Sequence, residues 1–259
     1  MRLVDSHVHL DDAKFDGDRE ETIERARAAG VEVMLAIGTG DGPPDLEAAI
    51  RLADRFECIY ATIGVHPHDA SKATAETWTR MGALAAHPKV VAVGEIGLDY
   101  HYDFSPRETQ RAAFERQLEL AAEWGKPVVI HTREAWDDTL EILRAHWQGG
   151  GIMHCFTGDE AQARQALDLG FHLSFGGVLT FPKADGVRQA ARLAPADRLL
   201  VETDCPYLAP VPHRGKRNEP AWVKETAQRL AEVRGCSLEA VAEATAKNFA
   251  RLLFAGRDC

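Results

Sequence analysis

The apolar positions of the chain fall into short runs separated by longer amphipathic segments. Short runs rich in valine, isoleucine and leucine are typical of strands buried in a parallel sheet. The pattern predicts eight strands, at residues 3–10, 31–38, 58–65, 90–98, 127–131, 151–156, 171–177 and 198–204. The alanine-rich, charged segments between and after them predict helices, at residues 17–29, 45–55, 74–86, 106–124, 135–146, 159–169, 184–193, 220–234 and 237–254.

Strands that alternate with helices form parallel βαβ units. Eight such units in about 250 residues match the size of a (β/α)8 TIM barrel, and the chain has 259 residues. An open doubly wound sheet is the alternative, but no glycine-rich dinucleotide loop follows the first strand. We therefore expect an α/β protein with one domain over residues 1–259, a TIM barrel with two additional C-terminal helices packed against it.

Two helix starts carry local signals. Ser105 is the expected N-cap of the helix at 106–124, with Pro106 as its first residue and Glu108 completing a capping box. Ser237 is the expected N-cap of the last helix.

Composition and charge narrow the possible functions. Hydrophobic residues make up 45% of the chain, which suits a globular core. No apolar run reaches the roughly 18 residues of a membrane helix, and the N-terminus lacks the pattern of a signal peptide. The formal net charge is −10, so binding to nucleic acid would need a local positive site rather than a broad basic surface.

The cysteines favour a reducing compartment. Their number is odd and no C-x-x-C pair occurs, which argues against a disulfide framework and against a thiolate zinc site. We expect a cytoplasmic protein with no membrane association, and the sequence indicates no protein partner. The five cysteines are Cys58, Cys155, Cys205, Cys236 and Cys259.

Candidate metal ligands stand at the ends of five predicted strands, where TIM barrels carry their catalytic groups. His7 and His9 are two residues apart in the first strand, so strand alternation turns both imidazoles to one face. A pair of hydrogen-bonded core histidines would explain these two alone, but not the agreement of five strand ends. The other four candidates are Glu95 in GEIGLDYH, His131 in VVIHTRE, His154 in IMHCF and Asp204 in VETDCP.

The chemistry of this set indicates two metals. Imidazole and carboxylate suit zinc, manganese and similar divalent ions, and the absence of thiolates argues against a structural zinc site. Six ligands are too many for one tetrahedral zinc with an open position. They suit two ions about 3.5–4 Å apart, joined by a bridging carboxylate, which together activate water and clamp an attacked phosphoryl or carbonyl group. We therefore expect two divalent metal ions, Mg²⁺, Mn²⁺ or Zn²⁺.

The motifs DSHVHLDD, GVHPH, GEIGLDYH, HTRE, HCFTG and VETDCPYLAP follow one another from residue 5 to beyond residue 220. Together they resemble the TatD-type metal-dependent deoxyribonucleases of the amidohydrolase superfamily. The resemblance implies a distorted TIM barrel. The ligand sets that it implies are His7, His9 and Asp204 for one metal, and His131 and His154 for the other, with Glu95 as the bridge. Many relatives in the superfamily use a carboxylated lysine as the bridge, so a glutamate here favours the TatD branch.

Three carboxylates receive predicted catalytic roles. Asp204 is placed to accept the proton of the attacking water, and Glu95 joins the metals. Glu202 lies two residues before Asp204 and shares its face of the strand. We expect Glu202 to orient a metal-bound histidine.

Four cationic residues and two further histidines complete the predicted site as substrate contacts. The resemblance suggests that His66 contacts the scissile phosphate, although a turn-capping role beside Pro67 is the alternative. Arg133 is expected to contact phosphate or to form a simple ion pair. The basic segment PHRGKRNEP follows the last strand, where TIM barrels often bind phosphate, although a solvated loop is its alternative. The full predicted set is His66, His68, Arg133, Arg214, Lys216 and Arg217.

These features predict a divalent-metal-dependent hydrolase of phosphodiester bonds in DNA. The resemblance implies a 3′-to-5′ exonuclease, and the acidic chain favours single-stranded or frayed 3′ ends over intact duplex. One alternative is a hydrolase of carboxylic esters or amides, such as a D-aminoacyl-tRNA deacylase. A noncatalytic metal-binding scaffold is the alternative from another class.

Overall fold

The computed structural model describes residues 2–255, so Cys259 lies outside the described residues. The strands are β1 (Leu3–Val8), β2 (Val31–Ala36), β3 (Ile59–Ile63), β4 (Val90–Asp99), β5 (Val128–Arg133), β6 (Gly151–Met153), β7 (Phe171–Phe175) and β8 (Leu199–Val201). The helices are α1 (Arg19–Ala28), α2 (Ala48–Arg55), α3 (Ala75–Ala85), α4 (Arg107–Glu123), α5 (Trp136–His146), α6 (Glu160–Asp168), α7 (Asp185–Leu193), α8 (Val223–Arg234) and α9 (Leu238–Leu253). Within residues 2–255, no helix combines the length and apolar character needed to cross a membrane.

The strands form one eight-stranded sheet in the order β1 to β8. Neighbouring strands run parallel, as in the pairs β1–β2, β4–β5 and β7–β8. Just beyond β8, Cys205 pairs in parallel with Val8 of β1, which closes the sheet on itself. The predicted (β/α)8 TIM barrel is therefore confirmed, and each predicted strand and helix corresponds to an observed one.

The chain divides into two compact units. The first unit comprises Met1–Ala36 with Met153–Cys259, and the second comprises Ile37–Ile152. In the first unit, α9 packs against β1 and β8, so the additional C-terminal helices lie where the sequence predicted them. In the second unit, α4 packs along β4. The single domain expected over residues 1–259 stays a prediction.

The two predicted helix caps have different outcomes. The Ser237 hydroxyl accepts a hydrogen bond from the Ala240 N–H at 3.2 Å, which confirms it as the N-cap of α9. The predicted capping box at Ser105 is wrong, because α4 begins at Arg107 with Pro106 as its N-cap. The Ser105 hydroxyl instead donates to the His68 carbonyl at 2.8 Å, so this residue anchors a neighbouring loop.

Candidate metal centre

The first unit brings together His7 of β1, His9 just after this strand, and the aspartate that follows β8. The Nε2 atoms of His7 and His9 lie 3.2 Å apart. Oδ1 of Asp204 lies 3.4 Å from Nε2 of His9 and 3.8 Å from Nε2 of His7. Burial raises the pKa of Asp204, but its hydrogen bond with His9 and the nearby His154 and His7 outweigh this and hold the pKa below its usual value. Asp204 is therefore a carboxylate at neutral pH.

His154 and Glu202 extend this first cluster. The imidazole of His154 stacks on that of His7, with ring centres 3.8 Å apart. Glu202 Oε1 lies 3.2 Å from Nδ1 of His154 and accepts a hydrogen bond from the Cys155 N–H at 2.6 Å. Glu202 thus contacts the ring of His154 and the backbone beside it, and its role in orienting His154 stays a prediction.

A buried carboxyl that the sequence analysis did not assign supports the first cluster. Asp5 accepts hydrogen bonds from the Thr203 hydroxyl at 2.6 Å and from the Thr203 N–H at 2.9 Å. Burial raises the pKa of Asp5 to about 8. These bonds join β1 to the segment after β8 and so set the position of Asp204 beside the histidines. The sequence signal was present, because Asp5, His7 and His9 alternate along one strand.

The second unit forms a separate cluster around Glu95. Glu95 is 2% exposed, and its Oε1 lies 2.7 Å from Nδ1 of His131 and 3.6 Å from Nε2 of His66. Burial lowers the pKa of His66 to about 4, so its imidazole is neutral at physiological pH. A neutral imidazole is the form that binds metal.

Glu95 does not end its strand, and this part of the sequence prediction was wrong. β4 continues beyond it to Asp99. The pairing of β4 with β5 shifts register between Gly94 and Ile96, so Glu95 occupies an irregular position in the ladder. Such irregularities often re-aim side chains beside active sites, and Glu95 contacts His131 from this position.

Asp99, at the true end of β4, connects two histidines of the second cluster. Its Oδ2 lies 3.1 Å from Nε2 of His131 and 2.9 Å from Nε2 of His68. Burial raises the pKa of Asp99, but the hydrogen bonds with His131, His68 and the Tyr102 N–H outweigh this and hold the pKa well below its usual range. The sequence analysis missed Asp99, although it falls within the quoted motif GEIGLDYH.

A glycine sets the close approach of β4 to β5. Gly97 has φ +142°, and a Cβ atom built on it would lie 2.0 Å from the carbonyl oxygen of His131. Any side chain at this position would collide with the backbone that carries His131. The second glycine of GEIGLDYH is therefore required by packing at the site.

The predicted substrate contacts of the second unit lie beside the second cluster. The His66 ring faces Glu95, and the His68 ring is held by Asp99. Arg133 is exposed, and its guanidinium lies 4.7 Å from the ring centre of Tyr102.

The basic loop at 212–220 carries one cation held in an ion pair and two that are exposed. Arg217 forms a two-point ion pair with Asp18, at 2.5 and 2.7 Å, and holds the pKa of that carboxyl well below its usual range. Arg214 is exposed, packs over Phe181 and donates to a backbone carbonyl, and Lys216 is exposed. Because Arg217 is held in this ion pair, Arg214 and Lys216 are the more available cations of this loop, and all three phosphate contacts stay predictions.

The donor atoms in both units fit divalent metal ions. Ligand atoms of His7, His154 and Glu202 lie within 4.8 Å of one another, and so do those of His66, Glu95 and His131. Glu202 Oε2 is buried and has no hydrogen-bond partner among residues 2–255, which leaves a carboxylate oxygen unsatisfied beside two imidazoles. Imidazole nitrogen with carboxylate oxygen is the donor set of zinc and manganese sites.

A TIM barrel with histidines and carboxylates clustered along and after its strands has the architecture of a metal-dependent hydrolase. Comparison with known proteins agrees. The model of the family described as "TatD related DNase" matches residues 4–254.

Individual relatives match along nearly the whole chain. A Bacillus subtilis (strain 168) protein named "Uncharacterized metal-dependent hydrolase YabD" is 44% identical, over 96% of this chain and 98% of that protein. A Cronobacter sakazakii protein named "3'-5' ssDNA/RNA exonuclease TatD" is 41% identical, over 94% and 96% respectively. The crystal structure of YJJV, a TatD homologue from Escherichia coli K12, superposes with a TM-score of 0.91 at 31% identity, over 98% of both chains.

The chain belongs to the TatD related DNase family, as its motifs indicated. It is a metal-dependent hydrolase of that family, so the prediction of an enzyme is confirmed and the alternative of a noncatalytic scaffold is wrong.

Replacing Asp99 by asparagine is expected to weaken metal binding by about 10- to 100-fold, the usual effect of losing a group that orients a metal-binding histidine. Asparagine keeps the shape but removes the charge that His131 and His68 share. Metal titration of the hydrolytic activity measures the effect, and kcat should recover at saturating metal. Asp45→Asn is the matched control, since Asp45 pairs with Arg51 on the surface, away from both clusters. An unchanged metal affinity in Asp99→Asn would contradict this role.

Proposed function

We propose that this protein hydrolyses phosphodiester bonds in DNA with two divalent metal ions, as a 3′-to-5′ exonuclease on single-stranded or frayed ends. The observation that supports this proposal is the presence of two histidine–carboxylate clusters, one in each unit. Two separate donor sets suit two ions, and paired ions are the usual means of stabilising both the attacking and the leaving oxygen of a phosphodiester. The name of the Cronobacter relative supports the substrate class and the direction.

The proposed ligand sets follow the resemblance and, in part, the distances. His7, His9 and Asp204 would hold one ion, and their ligand atoms lie within 3.8 Å of one another. His131 and His154 would hold the other, with Glu95 as the bridge. Within the first unit, His154 groups with His7 and Glu202, so its assignment to the second ion rests on the family pattern.

The side chains of this chain supply the proton transfer and the orientation. Bound divalent ions supply the charge that acidifies a water molecule and stabilises the attacked phosphate. In the proposed step the oxygen of a water molecule bonds to phosphorus, the bond from phosphorus to the 3′ oxygen of the preceding nucleotide breaks, one water proton passes to Asp204, and the departing 3′ oxygen takes a proton from solvent. Asp204 can accept it because its lowered pKa keeps it ionised. Glu202 holds the ring of His154, and Asp99 holds those of His131 and His68.

The charge of the chain supports a preference for strand ends. A net charge of −10 repels the polyanion along its length, and long duplex is usually gripped by a broad basic surface. Arg214, Lys216 and Arg133 offer a few local cations, enough to contact a short terminal segment. The free thiols of Cys205 and Cys236 support the proposed cytoplasmic location.

Oligonucleotides labelled separately at each end, together with a closed circular strand, test the proposed activity. With Mg²⁺, Mn²⁺ or Zn²⁺ present, the 5′-labelled strand should shorten stepwise, the 3′-labelled strand should release its label as a mononucleotide, and the circle should stay intact. Rapid cutting of the circle would show an endonuclease instead. If no DNA is cleaved with any of these metals, hydrolysis of aminoacyl-tRNA esters or of small esters becomes the leading alternative.

A further inference from the structure

Two aromatic side chains stand exposed on the loop between β4 and α4. Tyr102 is 47% exposed and Phe104 is 68% exposed, and they are two of the four large hydrophobic residues that residues 2–255 expose to this degree. Their rings stack on each other, with centres 5.2 Å apart and planes inclined by 18°. Burial of these rings in the core would be the ordinary arrangement, so their exposure as a stacked pair calls for a binding partner.

The loop is held in place by polar contacts on both sides of the rings. The Tyr102 N–H donates to Oδ1 of Asp99 at 2.9 Å. Asp103, between the two aromatic residues, forms an ion pair with Arg107 of α4 at 2.9 Å. The guanidinium of Arg133 lies 4.7 Å from the Tyr102 ring centre. The stacked pair is therefore preorganised and carries a cation at its side.

The stacked pair lies one ring away from the second cluster. The His68 ring makes edge contacts with Phe104 at 4.8 Å and with Tyr102 at 5.4 Å between centres. His68 is bonded to Asp99, which in turn is bonded to His131, a proposed metal ligand. A nucleotide whose phosphate lies at this cluster would thus place its base within reach of the rings.

We propose that Tyr102 and Phe104 form a stacking subsite for a nucleobase next to the scissile phosphate, with Arg133 as its cationic side. The inference rests on the proposed function, which supplies the phosphate. Stacking accepts any base, because every base has a π-face, and an adjacent arginine adds a cation contact. A protein partner is disfavoured, because two side chains offer far less than the roughly 600 Å² that each partner buries in even a small stable interface.

Steady-state kinetics on single-stranded oligonucleotides test the subsite. Phe104→Ala and Tyr102→Ala should each raise KM about tenfold, in line with the loss of one base-stacking contact, while kcat changes by less than about twofold. Phe104→Tyr and Tyr102→Phe keep the rings and should behave as the wild type. Tyr60→Ala is the matched control, since Tyr60 also lies beside a cation, Lys89, but at the start of β3. Thermal unfolding should show that all five variants are folded.

A strand whose last two 3′ nucleotides are abasic separates stacking from other effects. On this strand the KM of the wild type should rise by the same factor of about ten. The KM of the alanine variants should be no higher on the abasic strand than on the normal strand. An equal rise in KM for the variants on normal and abasic strands would overturn the proposal, as would an unchanged KM on the normal strand. A change of oligomeric state in the alanine variants with KM unchanged would show an interface between copies and would also overturn it.

A binding measurement keeps this proposal separable from the proposed function. Fluorescence anisotropy of a labelled trinucleotide with non-hydrolysable linkages, with divalent metal present, reports stacking without turnover. The wild type should bind the normal trinucleotide about tenfold more tightly than Phe104→Ala does. The wild type and Phe104→Ala should bind the abasic trinucleotide with the same, weaker affinity. Base-dependent binding without cleavage of any DNA would refute the nuclease and leave the subsite. Cleavage without base-dependent binding would refute the subsite and leave the nuclease.

Discussion

Removal of metal is expected to reduce hydrolysis by at least about a thousandfold, because bound ions contribute several kcal/mol of transition-state stabilisation. The remaining side chains are carboxylates and imidazoles, which lack the concentrated positive charge of a divalent ion. They cannot by themselves acidify water or neutralise a phosphodiester. Elemental analysis after gentle purification should find two divalent ions per chain, and addition of Mg²⁺, Mn²⁺ or Zn²⁺ to chelated protein should restore activity.

The number of metal ions bound by two histidine variants, His131→Ala and His87→Ala, tests the proposed ligands. His131→Ala removes a contact of both Glu95 and Asp99 and should lower the bound metal toward one ion per chain. His87→Ala is the matched control, because His87 pairs with the exposed Asp54 and lies before β4, away from the clusters. Full activity of the metal-free wild type would disprove the metal mechanism. Two bound ions in His131→Ala would disprove that assignment.

Glu95→Gln is expected to lower kcat by about a thousandfold while leaving the protein folded. Glutamine has the same volume as glutamate, so the packing around this buried side chain is kept. The lost negative charge is the one proposed to be shared by both ions, and its removal weakens their binding and raises the pKa of the activated water. Activity should be measured at saturating metal, beside a thermal unfolding curve.

Glu134→Gln provides the matched control for this substitution. Glu134 Oε1 lies 2.7 Å from Nδ1 of His101, the same separation as in the Glu95–His131 pair, but on the protein surface. This variant should retain wild-type kcat, because an exposed ion pair contributes little. Near-normal turnover of Glu95→Gln at saturating metal would show that Glu95 is not the bridge.

The sequence predicted the order of elements because periodicity is a local property. Eight short apolar runs and nine amphipathic segments each matched an observed element, and the rings of His7 and His9 converge as strand alternation requires. Helix boundaries were less certain, since Ser105 has a tertiary partner, the His68 carbonyl, that outweighs its capping signal. Capping signals are read from neighbouring residues, so they cannot predict a contact between residues 37 positions apart in the sequence.

The same reason explains what was missed at the candidate site. Asp99 matters through His68 and His131, which lie 31 and 32 residues away in the sequence. Glu95 lies inside β4, where the pairing with β5 shifts register, and no residue pattern announces such a shift. The basic segment at 212–220 suggested three phosphate contacts, but Asp18, almost two hundred residues earlier, pairs with Arg217. Which charges stay available is decided by the tertiary structure.

The close approach of Gly97 to the His131 carbonyl offers a criterion for judging whether a related sequence has kept a working site. Sequence comparisons usually judge whether a hydrolase has kept its chemistry by checking the ligand residues alone. Here a methyl group at position 97 would push β5 away, and His131 with it. A chain aligned with this one that keeps all six ligands but has lost that glycine is therefore better classed as a degenerate member, whose barrel persists without its catalytic function.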